Sequence, residues 1–197
     1  MAENIPAGKG RRKTVDKWKK KEWFTILSSK TFDKKPLGET PAEKPLQLIG
    51  RTIKSNLGNI TGQRTKRDIV VSFKYSDVQG KNISTNVSKF EVSKSTLARL
   101  VRRRNSKVDL VKRIKVANGD AKIAIIIVTY KEATQKQRAG LRDIISKEIE
   151  TLTGKDFEAI VNELLFGKLT TEISKKSAKI CIVKKVIVSK ATYTEAK

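Results

Sequence analysis

The fold is decided by the stretch Ile69-Val-Val-Ser-Phe-Lys-Tyr-Ser-Asp-Val-Gln-Gly-Lys-Asn82. The odd positions from 69 to 75 are all apolar or aromatic, and alternation of this kind is typical of a strand with one buried face. Gly80 can adopt the positive φ that a tight hairpin turn within residues 77–81 requires. The stretch therefore predicts a strand, a turn and the start of a second strand.

The second strand continues to Val92 and is polar on one side. The apolar positions change parity between Val87 and Phe90. One inserted residue shifts every following side chain to the other face, so the change predicts a β-bulge near Ser88.

A short helix and a second hairpin follow. The helix is predicted from Ser95 to about Arg104, with Arg99, Arg102 and Arg103 opposite its apolar stripe. The hairpin turns at Asn118-Gly119, which is a strong signal for a tight turn. Its second strand, residues 123–128, is apolar on both faces and is expected to lie centrally in the sheet.

The remaining elements complete an α+β fold. The sequence predicts strands at 23–27, 46–57, 108–116 and 180–188, loops at 31–45 and 58–67, and helices at 134–152, 155–166 and 169–179. Many antiparallel strands in one small chain favour a β-barrel or closed sandwich flanked by helices. We expect a basic N-terminal arm (1–22), one folded domain (23–190) and a fraying C-terminal tail (191–197).

The charge balance points to a polyanionic partner. The chain has 44 Lys and Arg against 20 Asp and Glu, a formal charge of +24. Such an excess opposes compaction unless a polyanion neutralises it. Nucleic acid is the first candidate, an anionic membrane surface the second and an acidic protein the third. No apolar run reaches the roughly 18 residues of a membrane span.

The sequence offers few residues for catalysis or metal binding. The chain has no histidine and one cysteine, which excludes His-based triads, disulfides within the chain and the usual Cys/His zinc sites. Cys181 is expected to be a small buried apolar residue. Asp109, Asp120 and Glu132 are expected to pair with lysines, although carboxylates could in principle hold Mg²⁺. No catalytic residue, metal or cofactor is predicted.

Basic side chains recur along the whole chain. Arginine offers a planar fork for phosphates and also stacks on bases, so Arg99, Arg102 and Arg103 favour nucleic-acid contact over simple solvation. The full set of predicted contact residues is Lys9, Arg11, Arg12, Lys13, Lys17, Lys19, Lys20, Lys21, Lys81, Arg99, Arg102, Arg103, Arg104, Arg113, Lys115, Lys136, Arg138 and Arg142.

The N-terminal arm has too few apolar residues to order itself alone. We expect it to be unstructured in the free protein and to become ordered against phosphates. Trp18 lies inside this basic run. It can either stack on a base or anchor the arm to the core.

Specific runs resemble a known family. Asp77-Val-Gln-Gly-Lys-Asn82, Leu97-Ala-Arg-Leu-Val-Arg-Arg103 and Lys107-Val-Asp109 are similar to the S-three-a (now S-one-e) family of small-ribosomal-subunit proteins of archaea and eukaryotes. The likeness extends to Lys19–Trp23, Ile49–Thr52, Thr129–Lys131 and the helix with Gln137, Arg138 and Arg142. The chain lacks the longer C-terminal extension of eukaryotic members, which favours an archaeal-type protein.

The resemblance implies a function. It implies a β-barrel flanked by helices, seated on the platform of the small subunit near the messenger exit and the 3′ end of the rRNA. It implies contacts with small-subunit rRNA, with neighbouring ribosomal proteins and with mRNA near the exit channel, in the cytoplasm and without a catalytic role. Two alternatives stay open: a free architectural nucleic-acid-binding protein, and an RNA nuclease using carboxylates with Mg²⁺.

Overall fold

The computed structural model describes residues 18–117 and 119–195, in which eight strands form one sheet and the last three of five α-helices form a layer on one of its faces. The strands are β1 (Glu22–Leu27), β2 (Pro36–Ala42), β3 (Thr52–Asn56), β4 (Ile69–Gln79), β5 (Asn82–Val92), β6 (Lys107–Val116), β7 (Gly119–Thr129) and β8 (Val183–Glu195). The helices are α1 (Leu57–Thr61), α2 (Lys94–Leu100), α3 (Gln135–Glu150), α4 (Phe157–Leu165) and α5 (Lys168–Ser177). Short 3₁₀ turns occupy Trp18–Lys20, Lys30–Phe32, Pro45–Gln47 and Arg64–Lys66.

The sheet is open, so the predicted closed barrel or sandwich is wrong. The strand order is β2-β1-β5-β8-β7-β6, and β4 adds to β5 and then β3 to β4. All pairs are antiparallel except β1 with β5. Strand β5 is the branch point, because it pairs with β1 at Asn82–Ile83 and with β8 at Lys89–Glu91. Closure would require β6 to pair with another edge strand, and no such pair exists among the described residues.

The central hairpin forms as predicted. Strand β5 has the predicted bounds, and Gly80 lies in the turn with a φ of 61°. The predicted bulge is confirmed: Ser72 faces Lys89 and Phe73 faces Val87, which leaves Ser88 as the extra residue. Its hydroxyl donates to the Ser72 carbonyl at 3.1 Å.

Several element boundaries differ from the prediction. Helix α2 ends at Leu100, because Val101 is extended and Arg104 lies in the left-handed region with a φ of 67°. Residues 31–45, predicted as a loop, contain β2. Proline is tolerated in that strand because β2 lies at the edge of the sheet and pairs with β1 alone.

The predicted strand at 46–57 is also too long, since only Thr52–Asn56 pairs with β4 and the connection after it contains α1. Gly50 donates its N–H to the Tyr75 carbonyl at 3.1 Å just before this strand.

The prediction that the C-terminus frays from residue 191 is wrong. Strand β8 continues to Glu195, and residues 191–195 of the predicted tail pair with β7. Ala191 is fully buried, and the Tyr193 ring stacks on Phe157 with centroids 5.1 Å apart. Packing on both sides therefore stabilises a segment whose composition alone looked like a tail.

The main core lies between one face of the sheet and the helices. Ile123, Ile125 and Ile127 of β7 are fully buried, and they belong to the same core cluster as the α3 side chains Leu141, Ile145 and Ile149. Each such side chain contributes roughly 1.5–3 kcal/mol through burial. Strand β7 pairs on both sides, with β6 and with β8, but it lies next to the edge strand β6, so it is internal and not central as predicted.

Helix α3 begins at a capping box. Thr134 accepts from the Gln137 N–H at 3.4 Å, and the Gln137 amide oxygen accepts from the Thr134 N–H at 3.0 Å. The helix predicted from residue 134 therefore begins with Thr134 as its N-cap.

Within the described ranges, no helix is long and apolar enough to cross a membrane.

Candidate nucleic-acid interface

The face of the sheet opposite the helical layer carries a lateral row of cations. Strand register places Lys54, Ser72, Lys89, Thr192, Lys122 and Arg113 directly opposite one another across β3, β4, β5, β8, β7 and β6. Side chains directly opposite in adjacent strands lie on the same face. The four basic residues of this row therefore point to one side, and strands about 4.8 Å apart spread them over roughly 24 Å.

Other cations lie on the same face. Lys190 is opposite Glu91 and Ala124, Lys115 is opposite Asp120, and Lys107 and Lys185 flank Val128. We call the set the basic sheet face: Lys54, Lys89, Lys107, Arg113, Lys115, Lys122, Lys185 and Lys190. All but Lys89 are exposed.

The charges on this face are incompletely neutralised. Lys89 pairs with Glu91 at 2.6 Å and Lys107 with Asp109 at 3.7 Å. Arg113, Lys122 and Lys190 make no ion pair with any described residue. The positive potential of the face is therefore available to a ligand.

The positive potential of the basic sheet face lowers the pKa of Glu91. The hydrogen bond from Lys89 lowers the pKa of the Glu91 carboxyl below its usual value of 4.5, and the nearby charges of Lys190 and Lys54 lower it further. Cations from β3, β5 and β8 thus act on one carboxylate, as the strand register requires.

The helical side of the sheet has ion pairs of its own. Lys112 of β6 bonds Glu150, Lys155 bonds Glu163 at 2.7 Å, and Lys176 bonds the buried Glu148. Other exposed lysines of the helical layer, Lys147, Lys168 and Lys175, make no ion pair with any described residue.

Helix α2 lies against one end of the basic sheet face. Leu97, Leu100 and Val101 line an apolar groove of about 270 Å³ together with Ile126 and Ile187. Lys184 donates to the Leu100 carbonyl at 3.4 Å. The α2 segment, with its arginines, therefore adjoins the basic sheet face, although none of its side chains is fully buried.

The predicted arginine cluster is only partly helical. Arg99 lies in the last turn of α2, whereas Arg102, Arg103 and Arg104 lie in the loop that follows it, which corrects the prediction of one helical face. All four are exposed. Their directions are set by a loop containing a left-handed residue and not by a 3.6-residue period.

Arg138 has an intramolecular role. Its Nε donates to the Ala133 carbonyl at 3.0 Å and its terminal nitrogen donates to Ser106 Oγ at 3.1 Å. Two of its donors are thereby occupied. Lys136 and Arg142, predicted with it, are exposed on α3.

The other predicted contact residues are dispersed. Lys9, Arg11, Arg12, Lys13 and Lys17 lie outside the described residues, as does Asn118 of the predicted turn. Lys19, Lys20 and Lys21 are exposed ahead of β1, and Lys81 is exposed in the β4–β5 turn. The Lys21 ammonium lies 4.5 Å from the centre of the Trp18 ring, and 59% of Trp18 is exposed. Trp18 is therefore not a core anchor.

Six members of the basic sheet face were missed by reasoning from sequence: Lys54, Lys89, Lys107, Lys122, Lys185 and Lys190. Each stands on the polar side of a strand, which was visible as alternation. Their shared face depends on which strands pair, and the sequence pattern does not determine this.

Among the described residues, no cluster of three or more His, Cys, Asp or Glu side chains could hold a metal ion. Cys181 is partly buried, and burial raises the pKa of its thiol. The raised pKa makes the thiol a poor nucleophile.

An open sheet with an exposed basic face opposite a helical layer belongs to the class of folds that can bind a polyanion. Within this class, the sequence profile of the Ribosomal S3Ae family matches residues 9–197. The chain belongs to the Ribosomal S3Ae family.

Curated relatives agree with this family. The small ribosomal subunit protein eS1 of Sulfurisphaera tokodaii is 31% identical over 183 residues, which cover 92% of this chain and 95% of the relative. The protein of the same name from Methanobrevibacter smithii is 29% identical over 93% of this chain and 96% of its own length. That from Staphylothermus marinus is 29% identical over 89% and 84%. The chain therefore resembles archaeal-type members of the family along nearly its whole length.

Proposed function

We propose that this protein is a structural constituent of the small ribosomal subunit and that its basic sheet face binds small-subunit rRNA. The observation that carries the proposal is the row of cations across six strands in a chain whose curated relatives are named small ribosomal subunit proteins. Phosphate contacts by such cations position a protein on RNA without reading its sequence. The role is architectural and requires no catalytic group.

The arginines of α2 and its following loop extend the surface. Arg99, Arg102, Arg103 and Arg104 adjoin one end of the basic sheet face and offer planar forks to phosphates. The N-terminal lysines and arginines add a second contact region in this proposal. Arg138 contributes chiefly by holding the loop before β6 in place.

The resemblance to the family supports a proposal about the location of the protein within the subunit. We propose that the protein lies on the platform of the cytoplasmic small subunit, near the messenger exit and beside other platform proteins. Passing mRNA near the exit channel is a further contact in this proposal.

Sedimentation and footprinting test the proposal together. The tagged full chain is expressed in its source organism, and small subunits are washed with high salt. We expect the chain to remain with the particle and a hydroxyl-radical probe tethered at Lys122, on the basic sheet face, to cleave neighbouring rRNA riboses. Tethering at Lys147 of α3 is the control. Release of the chain by the salt wash, or cleavage from Lys147 alone, would contradict the proposal.

The alternative hypothesis, a free architectural nucleic-acid-binding protein, is distinguished by the nucleic acids that the protein binds. Such a protein would bind naked duplex DNA as tightly as folded rRNA. A structural subunit protein is expected to prefer the rRNA, and competition between the two nucleic acids at one salt concentration measures the preference.

A further inference from the structure

A polar cleft of about 680 Å³ opens where the sheet fails to close. Its walls are the middle of β5, the turn after β1, the end of β8 and the first turn of α4. Pockets of roughly 300–1,000 Å³ commonly hold ligands. The cleft lies apart from the basic sheet face, because it is lined by Ser29, Asn86, Asp156 and Glu158 and by none of that face's cations.

One side of β5 is unpaired at this cleft. Strand β4 pairs with β5 along its length, whereas on the other side β1 ends its pairing at Ile83 and β8 begins at Lys89. Residues 84–88 therefore have, among the described residues, no strand on that side. An open strand edge presents main-chain donors and acceptors that pair readily with another chain.

A buried hydroxyl in the same cleft lacks a partner. Ser29 is 2% exposed, and its Oγ makes no hydrogen bond. Its neighbours are satisfied: Ser28 Oγ donates to the Phe32 carbonyl at 3.2 Å, and Thr85 Oγ1 donates to the Leu27 carbonyl at 2.8 Å. Buried polar side chains normally have a partner, so the free Ser29 hydroxyl indicates that the cleft is completed by another group.

We propose that an extended segment of a neighbouring protein occupies this cleft and adds as a strand against residues 84–88 of β5. A peptide main chain alternates N–H and C=O groups and so matches an open strand edge. The proposal rests on the proposed function, because the assembled small subunit supplies the neighbour.

The open main-chain edge favours protein over RNA, because a peptide main chain pairs with a strand edge and a phosphodiester backbone does not. The charges that line the cleft are mixed, since Asp156 and Glu158 lie at the start of α4 and Lys30 and Lys34 line the cleft as well. Glu158 accepts from Thr31 Oγ1 at 3.0 Å, whereas the Asp156 side chain makes no capping bond to its helix. A basic side chain of the incoming segment can pair with Asp156.

The length of the open edge limits the segment. Five residues of β5 at about 3.3 Å each give roughly 17 Å of edge. The segment therefore needs about five extended residues, with a hydrogen-bonding side chain facing Ser29 and a lysine or arginine facing Asp156.

Site-specific crosslinking tests the proposal. The photoreactive residue benzoylphenylalanine replaces Asn86 in the tagged full chain, and the particles that contain it are irradiated. We expect a ribonuclease-resistant adduct with a peptide from another subunit protein. The control is the same replacement at Asn59, which is exposed on α1 and does not line the cleft. An adduct with rRNA, an adduct with residues 1–17 of the same chain, or no adduct would overturn the proposal.

A second variant separates this inference from the proposed function. Asn86→Trp places an indole in the cleft at an exposed position, and Asn59→Trp is its matched control. We expect Asn86→Trp subunits to retain this chain and to lose one neighbouring protein several-fold by mass spectrometry. Unchanged composition would overturn the strand-addition proposal alone. Absence of the chain carrying Asn59→Trp from the particle would overturn the proposed function as well.

Discussion

Arg138 on α3 donates a hydrogen bond to Ser106 Oγ at 3.1 Å and so joins the helical layer to the residue before β6. We expect Arg138→Ala to destabilise the protein by about 1–3 kcal/mol, since hydrogen bonds to a charged donor are lost. Chemical denaturation of the free protein measures the change. Lys136→Ala, two residues earlier and exposed, is expected to change stability by less than about 0.5 kcal/mol.

The same two variants distinguish a structural role of Arg138 from a role in rRNA binding. If Arg138→Ala left the unfolding free energy unchanged and weakened rRNA binding as strongly as a basic-sheet-face variant, Arg138 would be a contact residue, and the structural interpretation of its hydrogen bonds would be wrong.

The sequence predicted the local fold correctly where the pattern involves residues that are close in the chain. The alternation in β4, the parity change at Ser88 and the Thr134 cap each depend on residues close in the chain, and each is present. The helix predicted to Arg104 was wrong because Val101 leaves the helical region, a backbone change that the apolar stripe does not reveal. The prediction of a closed barrel or sandwich was wrong because the side of β5 that does not pair with β4 is shared between β1 and β8.

The sequence predicted the chemical character of the candidate interface but not its position on the fold. Composition alone indicated a polyanion partner, and Arg113 and Lys115 were identified on an exposed strand face. The row that joins Arg113 to Lys54 requires six strands in register, and β3 and β6 are distant in the chain. Nothing in the sequence distinguishes Arg138 from the other arginines, so its intramolecular hydrogen bonds could be identified only from the structure.

The basic sheet face is expected to carry much of the affinity for rRNA. The triple variant Arg113→Ala, Lys122→Ala and Lys190→Ala removes three cations that lack ion-pair partners among the described residues. Each phosphate contact contributes about 0.7–0.9 to the slope of log affinity against log salt, so the slope should fall by about 2–3. Filter binding of small-subunit rRNA between about 50 and 200 mM salt measures it.

A charge-matched control lies on the helical layer. Lys147→Ala, Lys168→Ala and Lys175→Ala remove the same net charge from exposed positions on α3 and α5. An equal loss of slope in both triple variants would show that net charge, and not the basic sheet face, determines binding.

Glu91 offers a pH test of the same surface. Its pKa is lowered from 4.5, chiefly by the Lys89 hydrogen bond, so its stabilising contribution is present above pH 4.5 and is lost as the pH falls through the lowered pKa. Lys89→Met should raise the Glu91 pKa towards 4.5, as measured by carboxyl NMR titration. Lys107→Met is the control and should leave it unchanged. A Glu91 pKa that does not respond to Lys89→Met would refute the charge coupling.

The core under the basic sheet face is expected to be intolerant of truncation. Ile125 is fully buried in β7, whereas Val111 on β6 is 53% exposed. Ile125→Ala should lower the free energy of unfolding by about 2–5 kcal/mol through lost burial and a residual cavity. Val111→Ala should cost less than about 1 kcal/mol. Equal costs in urea denaturation would mean that the two faces of the sheet are not packed differently.

Arg104 separates backbone strain from binding, because it is a non-glycine residue at a φ of 67°. The left-handed region costs a side-chain-bearing residue about 1–2 kcal/mol, and glycine is free of this cost but gains about 0.5–1 kcal/mol of unfolded-state entropy. Arg104→Gly should therefore change stability by less than about 1 kcal/mol, whereas Arg104→Val should destabilise because β-branched residues resist this region. Both should weaken rRNA binding equally if the guanidinium contacts phosphate. Weaker binding by Arg104→Val alone would mean that the loop conformation, and not the charge of Arg104, matters.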